Sequence, residues 1–413
     1  MPALDDLRAL QDAAAPKGIV SVCSAHPLVL RAALRQAAWT GEPALIEATC
    51  NQVDHRGGYT GMTPEDFAAL VRRIAQEEGA RFTLGGDHLG PNPWRGRPAA
   101  EAMIEAEEMT RAYAAAGFGK IHLDASMGCA GEPEALGDEE TARRAARLAA
   151  AAETAAARAG HPPPRYVIGT EVPPPGGADH ELSAVAPTDP DAARHTYRIH
   201  RETFESQGLR DAFARVRGLV VQPGVEFGNR NVVRYDPRAA RGLSAALSDM
   251  PGLVFEAHST DYQGEAPLRA LIADGFAVLK VGPELTFALR EALYGLDGIA
   301  SDLVGGYGER PLKAAMETLM VKRPGDWQRH YDGADARWLR HHSLSDRIRY
   351  YWPEAEAPVT RLMEVLRGVS VPLPLLWQHL PWAEAFADAP LVPEDVVIER
   401  VLRVLRSYSA ACG

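Results

Sequence analysis

FTLGGDHLGP, residues 82–91, opens on the apolar run Phe82–Leu84, which exits through two glycines onto a carboxylate and an imidazole standing side by side. The two glycines ahead of Asp87 and His88 allow a sharp exit and a close backbone approach. Seven other short apolar runs behave the same way. Ile19–Cys23 precedes Ser24 and His26, Ala44–Ile46 precedes Glu47 and Asn51, and Lys120–Leu123 precedes Asp124 and Ser126. Tyr166–Ile168 leads to Glu171, and Gly218–Val221 leads to Gln222 and Glu226. Gly252–Phe255 leads to Glu256 and His258, and Phe276–Leu279 to Lys280 and Glu284. Strands buried on both faces read as apolar runs, and Ala-rich stretches of helical length separate these. Eight such units predict an α/β fold, a TIM (β/α)8 barrel, whose chemistry sits at the C-terminal ends of its strands.

The chain has 413 residues, and a typical barrel needs roughly 250. Residues 1–304 are therefore assigned to a catalytic barrel. Residues 305–413 are assigned to a mostly helical C-terminal extension that can act as a lid. Leu4–Ala14 reads as a short helix plugging the barrel floor. Thr63 with Pro64 reads as the start of a helix running to Glu78, and Gly160 as the end of the long helix from Glu139. Most of the tryptophan lies in the extension, where Trp327, Trp338, Tyr350, Tyr351, Trp352 and Trp377 suggest an aromatic core against the barrel. The sharper reading brings Ser345–Tyr351 to the mouth, with Arg347 and Tyr350 offered to a sugar or phosphate.

A net charge of −11 with no basic cluster argues against nucleic acid. No run approaches a membrane span, and no leader pattern opens the chain. Four cysteines without paired spacing read as reduced thiols in a cytoplasmic protein.

Strands three and seven face each other across an eight-stranded barrel, so His88 and His258 can approach one divalent metal from opposite sides. Glu226 is the third ligand in this reading, and Glu171 is a ligand or a base. Zinc is the first choice, with Mn, Co or Ni accepted by the same donor types. Asp87 can carry a proton beside the metal. Asn51 and Gln52, in a Gly-rich loop, suit sugar hydroxyls, as do Ser126 and Gln222. Lys280 stands where a Schiff-base lysine would be sought, although beside a metal it would pair with a carboxylate. His122 reads as a buried structural histidine, His55 as a solvated loop residue and Cys129 as packing.

GGDHLGP (85–91), HLDASMGC (122–129), QPGVEFGN (222–229), FEAHSTDYQ (255–263) and SDRIRYYWP (345–353) together resemble one family. It is that of the so-called non-catalytic subunit of class II tagatose-bisphosphate aldolase, some members of which are described as metal-dependent tagatose/fructose C4-epimerases. The chain more distantly resembles the catalytic class II fructose-bisphosphate aldolases. That likeness implies Asp87 as proton carrier, His88 and His258 as metal ligands and Glu171 as the strand-five glutamate. Two departures matter. No histidine lies in Gln222–Asn229, so either Glu226 substitutes or the site is altered. The glycine-rich turn that offers backbone N–H groups to a phosphate there reads STDYQ (259–263) here, which weakens phosphate recognition.

The implied reaction is metal-dependent retro-aldol and aldol chemistry at C3–C4 of a ketohexose, first as C4 epimerisation of free D-tagatose and D-fructose. The alternative is a catalytic or stabilising subunit of tagatose-bisphosphate aldolase, with a homo-oligomer or a catalytic subunit as partner. A sugar kinase is discounted, because no Walker-type glycine-rich loop is present.

Overall fold

A computed structural model describes residues 2–170, 185–331 and 333–413. Its eight barrel strands are β1 (Ile19–Cys23), β2 (Ala44–Thr49), β3 (Phe82–Leu89), β4 (Lys120–Leu123), β5 (Arg165–Ile168), β6 (Val216–Val221), β7 (Val254–Ala257) and β8 (Val278–Val281). All pair in parallel, and β1 bonds β8 to close the barrel. The eight apolar runs are these eight strands.

The outer helices are α1 (Pro27–Thr40), α2 (Pro64–Glu78), α3 (Ala99–Ala115), α4 (Asp138–Ala159), α5 (Pro190–Ser206), α6 (Pro237–Ala246), α7 (Glu265–Ala273) and α8 (Pro283–Leu303). Their ends follow the local chemistry read from the sequence. Thr63 Oγ1 accepts the Asp66 N–H while Asp66 accepts the Thr63 N–H, a reciprocal cap in front of Pro64. Gly79 and Gly160 end α2 and α4 with φ of 69° and 72°, where an L-residue would be strained. At the floor, the N-terminal segment forms two short helices, Pro2–Asp5 and Leu7–Gln11, rather than one. Leu7 is buried against Val254, Val278 and Ile19, the first residues of three strands, as a plug should be.

The extension holds its aromatic core in one place. Tyr351 and Trp352 are buried and Trp327 is half-buried, whereas Trp338 and Trp377 are exposed. Its last helix, α9 (Pro393–Cys412), returns to the barrel. It packs against α1, α7 and α8 and touches β1. Arg35 pairs with Asp395 at 3.0 Å, Tyr408 donates to the Thr260 carbonyl at 2.7 Å, and the Gly18 N–H donates to the Cys412 carbonyl at 3.0 Å. Residues 305–392 therefore lie between the eighth strand and a helix that occupies the sector of the outer ring between α7 and α1.

The barrel interior departs from the usual aliphatic layers. Glu47, Lys120, Glu256 and Lys280 point inward and are all buried. Lys120 lies 2.5 Å from Glu47 and 2.8 Å from Glu256. Lys280 lies 3.4 Å from Glu47, 3.5 Å from Glu256 and in direct contact with Asp87. Each charge has an opposite neighbour, which is the condition for tolerating it so far from water.

Candidate active site

Strand β3 carries the site through a deliberate irregularity. Its register against β4 slips between Gly86 and Leu89, and His88 inside the slip has φ of 51°. Bulges of this kind re-aim a side chain next to a functional site, and a non-glycine residue with positive φ is held there by its surroundings. Gly85 is required because a Cβ would lie 2.7 Å from the Glu47 side chain. Gly90 is required because its Cβ would fall on the Asp124 carbonyl oxygen.

The result is a cluster at the C-terminal mouth. Ligand-capable atoms of Asp87, His88, His122 and His258 all lie within 4.8 Å of one another. The His88 and His258 rings have centroids 4.9 Å apart, and His122 lies 4.9 and 5.2 Å from them. Each imidazole is oriented from behind by a carboxylate. His88 Nδ1 lies 2.8 Å from Asp124, which also accepts the Ser126 hydroxyl at 2.9 Å. His258 Nε2 lies 3.0 Å from Glu256. His122 Nδ1 lies 3.1 Å from Asp87 and 3.2 Å from the His88 backbone nitrogen, and its Nε2 is buried without a hydrogen-bond partner among the described residues. In each ring one nitrogen is thus held by a carboxylate, the kind of outer contact that metal-binding histidines show. Burial lowers the basicity of His258 and His122, and the Lys280 charge adds to the effect on His258. Neutral imidazole is the form that binds a metal. The donor set fits a divalent ion.

Burial alone would raise the Asp87 carboxyl, but His88, Lys280 and His122 outweigh it and hold the group well below the usual range. Asp87 is therefore ionised at neutral pH. Lys280 is also pushed up, with Asp87, Cys23, Glu47 and Glu256 overcoming the desolvation of its amine. A lysine held protonated this firmly is a poor Schiff-base nucleophile.

A cleft opens over this cluster at the barrel mouth. Asn51, Gln52, Lys280 and Tyr350 line it alongside Asp87, His88 and His258. Other proposed contacts sit elsewhere. Ser126 stands behind Asp124, and the Gln222 Oε1 accepts the Gly224 and Val225 N–H groups at 2.8 and 2.9 Å, shaping the turn after β6. Glu226 opens a small two-stranded ribbon, Glu226–Phe227 with Val232–Val233, and its carboxylate accepts the Phe227 N–H at 3.0 Å. It is buried but is not among the four clustered donors. Glu171 lies outside the described residues.

Arg347 donates to the Asp326 carbonyl at 3.1 Å, whereas Arg349, two residues on, lines the cleft. Nothing in SDRIRYYWP separates those two arginines. The segment folds as a 3-10 stretch, Arg347–Glu354, entered through Asp346 at φ of 45°, and that turn decides which of them faces the mouth. Asp124 and Glu256 were quoted as strand-end residues. Their role behind the imidazoles depends on contacts 36 and 2 residues away and has no sequence signature.

One wall of the cleft holds Asp261, which forms a carboxylate pair with Glu284. Asp261 Oδ1 accepts the Gly282 and Glu284 N–H groups at 3.0 and 2.8 Å, and Glu284 accepts the Tyr262 N–H at 2.6 Å. Desolvation pushes Asp261 up to about 6. Desolvation and the nearby Asp261 charge push Glu284 up to about 7. A carboxyl whose pKa is raised by folding binds more protons in the folded chain, so its contribution is greatest in acid and is lost as pH climbs from about 4 to 7. Asp261→Asn keeps the accepting oxygen and removes the charge. Its unfolding free energy should exceed that of the parent at pH 8, by an amount on the order of 1–3 kcal/mol, and match it at pH 4. Parallel pH–stability curves for the two proteins would refute this assignment.

The family model of the D-tagatose-1,6-bisphosphate aldolase subunit GatZ/KbaZ-like family matches residues 4–413. The chain is 60% identical to the D-tagatose 6-phosphate 4-epimerase of Agrobacterium fabrum, over 99% of this chain and 98% of that protein. It also superposes on a crystal structure from Sinorhizobium meliloti 1021, described as a probable tagatose 6 phosphate kinase. The TM-score is 0.86 at 52% identity, covering 96% of this chain and 100% of that one. The chain belongs to the D-tagatose-1,6-bisphosphate aldolase subunit GatZ/KbaZ-like family.

Proposed function

We propose that the protein is a metal-dependent ketose 4-epimerase acting on a phosphorylated ketohexose, interconverting D-tagatose 6-phosphate and D-fructose 6-phosphate. The observation that carries this reading is the group of three imidazoles and one ionised aspartate at the barrel mouth, in a chain 60% identical to an epimerase of that name. The sequence alone favours the free sugar, because STDYQ lacks a glycine-rich turn; the relative's name moves the substrate to the phosphate ester.

His88 and His258 hold the ion in this reading, with zinc the first choice and Glu226 as third ligand. A second reading gives the third position to His122, whose Nε2 is buried and bare beside them. A divalent ion held there supplies Lewis-acid polarisation of the ketose carbonyl. Asp87 accepts the C4 hydroxyl proton. The C3–C4 bond then breaks, its electrons pass to C3, and a three-carbon enediolate and glyceraldehyde 3-phosphate share the cleft. Rotation of the aldehyde presents its other face, the bond re-forms, and Asp87 returns the proton to the C4 oxygen. Lys280, fixed by Asp87, Glu47 and Glu256, keeps the base ionised and aimed. Asn51 and Gln52 meet sugar hydroxyls. Tyr350 closes one wall, which helps retain the aldehyde and favours epimerisation over net cleavage.

The test is direct. Protein supplied in turn with Zn, Mn, Co or Ni is incubated with D-tagatose 6-phosphate, and products are followed by carbon NMR. Accumulation of D-fructose 6-phosphate with little free triose is expected, together with abolition by EDTA. A protein that converts nothing with any of the four ions, and holds none of them stoichiometrically, is instead a stabilising aldolase subunit.

A further inference from the structure

Resting on the phosphorylated substrate proposed above, we infer that Arg349 is the anion anchor of the cleft and receives the terminal phosphate of the ketose. Two cations line that cleft among the described residues, Lys280 and Arg349. Lys280 is committed to three carboxylates on the floor. Arg349 has no carboxylate within ion-pairing distance among the described residues, although it is half-buried. Its guanidinium lies over the Tyr350 ring at 4.5 Å, and Tyr350 in turn packs edge-on against Tyr59 at 4.8 Å. Nη1 donates to the Ser345 and Asp346 carbonyls, and Nη2 donates to the Tyr350 hydroxyl at 2.9 Å. Those bonds engage three of the five N–H donors that a guanidinium carries. Among the described residues, Nε–H and one Nη2–H are left over, on a head group held in place from behind. A planar fork with two free donors is what a phosphate accepts in bidentate fashion.

The alternative place for a phosphate is already filled from within. The N-terminus of α8, at the end of β8, would be the natural anion site of this mouth. The Asp261 carboxylate occupies it, accepting the Gly282 and Glu284 N–H groups. An incoming anion finds those donors taken and a negative charge beside them. In a chain of net charge −11, the guanidinium is the remaining attractive feature of the cleft wall. Ser259, with φ of 53°, and Asn51 line the same space and can add neutral donors.

Two measurements test this on the metal-loaded full chain, with Arg349→Ala and the charge-preserving Arg349→Lys. First, calorimetric titration with inorganic phosphate should show binding to the parent protein that weakens at least tenfold in Arg349→Ala and is partly restored in Arg349→Lys. Equal binding by the parent and Arg349→Ala overturns the inference, whatever reaction the protein catalyses. Secondly, kcat/KM for D-tagatose 6-phosphate should fall by about 10²–10³ in Arg349→Ala, mostly through KM, while that for free D-tagatose changes by less than about threefold. Added phosphite should accelerate turnover of free tagatose by the parent but not by Arg349→Ala. A matching loss on both substrates would make Arg349 a structural residue of the wall. A parent protein that binds phosphate through Arg349 yet epimerises neither sugar refutes the proposed reaction and leaves the anchor standing.

Discussion

Asp87→Asn should retain its metal and its fold while kcat falls by about 10²–10⁴, the usual worth of a positioned general base. Three groups hold that carboxylate in place. Lys280 and His122 both contact Oδ1, and Thr49 donates to Oδ2 at 3.4 Å. An amide of the same shape can keep its oxygen toward Lys280 and still accept one bond. It cannot take a proton from a hydroxyl. Metal content by elemental analysis should match the parent, and the melting temperature should drop modestly, because the Lys280 charge loses one of three counter-ions. A rate loss under tenfold with metal retained would move the proton transfer to Glu171.

The largest effect belongs to the imidazoles. His88→Ala and His258→Ala should each lose stoichiometric metal and all measurable turnover, since removing one of three protein ligands empties a catalytic divalent site. The folded barrel should survive, but not without cost. His88→Ala strips Asp124 of its bond to Nδ1 and leaves it with the Ser126 hydroxyl, a loss of about 1–3 kcal/mol for a buried acceptor. His258→Ala leaves Glu256 with the 2.8 Å contact to Lys120 and the 3.5 Å contact to Lys280, so its stability loss should be the smaller. The pair Glu226→Gln and His122→Gln then separates the two candidates for the third position. The variant that loses metal identifies the ligand. If both His88→Ala and His258→Ala remain active, the metal reading ends.

Much of the architecture was legible because buried parallel strands have no polar face to disguise them. All eight runs align with strands, and the Thr63–Pro64 start and the glycine ends of α2 and α4 follow from local chemistry alone. The third strand was read short. Its glycines suggested an exit after Leu84, yet pairing continues to Leu89 through the slipped register. The inward charges were hidden for a different reason. Lys120 pairs with Glu47 and Glu256, partners 73 residues before it and 136 after it, and an isolated lysine in an apolar run advertises neither. His122 looked structural because a histidine inside a strand usually is. Its proximity to His88 and His258 arises from barrel curvature, which no spacing rule encodes. The neighbouring Arg347 and Arg349 were distinguishable only once the backbone turn at Asp346 was in view.

The placement of helix 393–412 constrains how the molecule can be made. The seam it covers stays open until those residues are synthesised, long after the eighth strand has left the ribosome. A nascent chain of about three hundred and ninety residues would present apolar side chains of the first and seventh helices to solvent and to other nascent chains, a state prone to aggregate. Nonsense mutations late in the coding sequence should therefore yield insoluble product rather than a shortened, folded protein. A circularly permuted variant that begins with this helix and joins it directly to the first strand would supply the stave early and should refold faster, because its contacts become local.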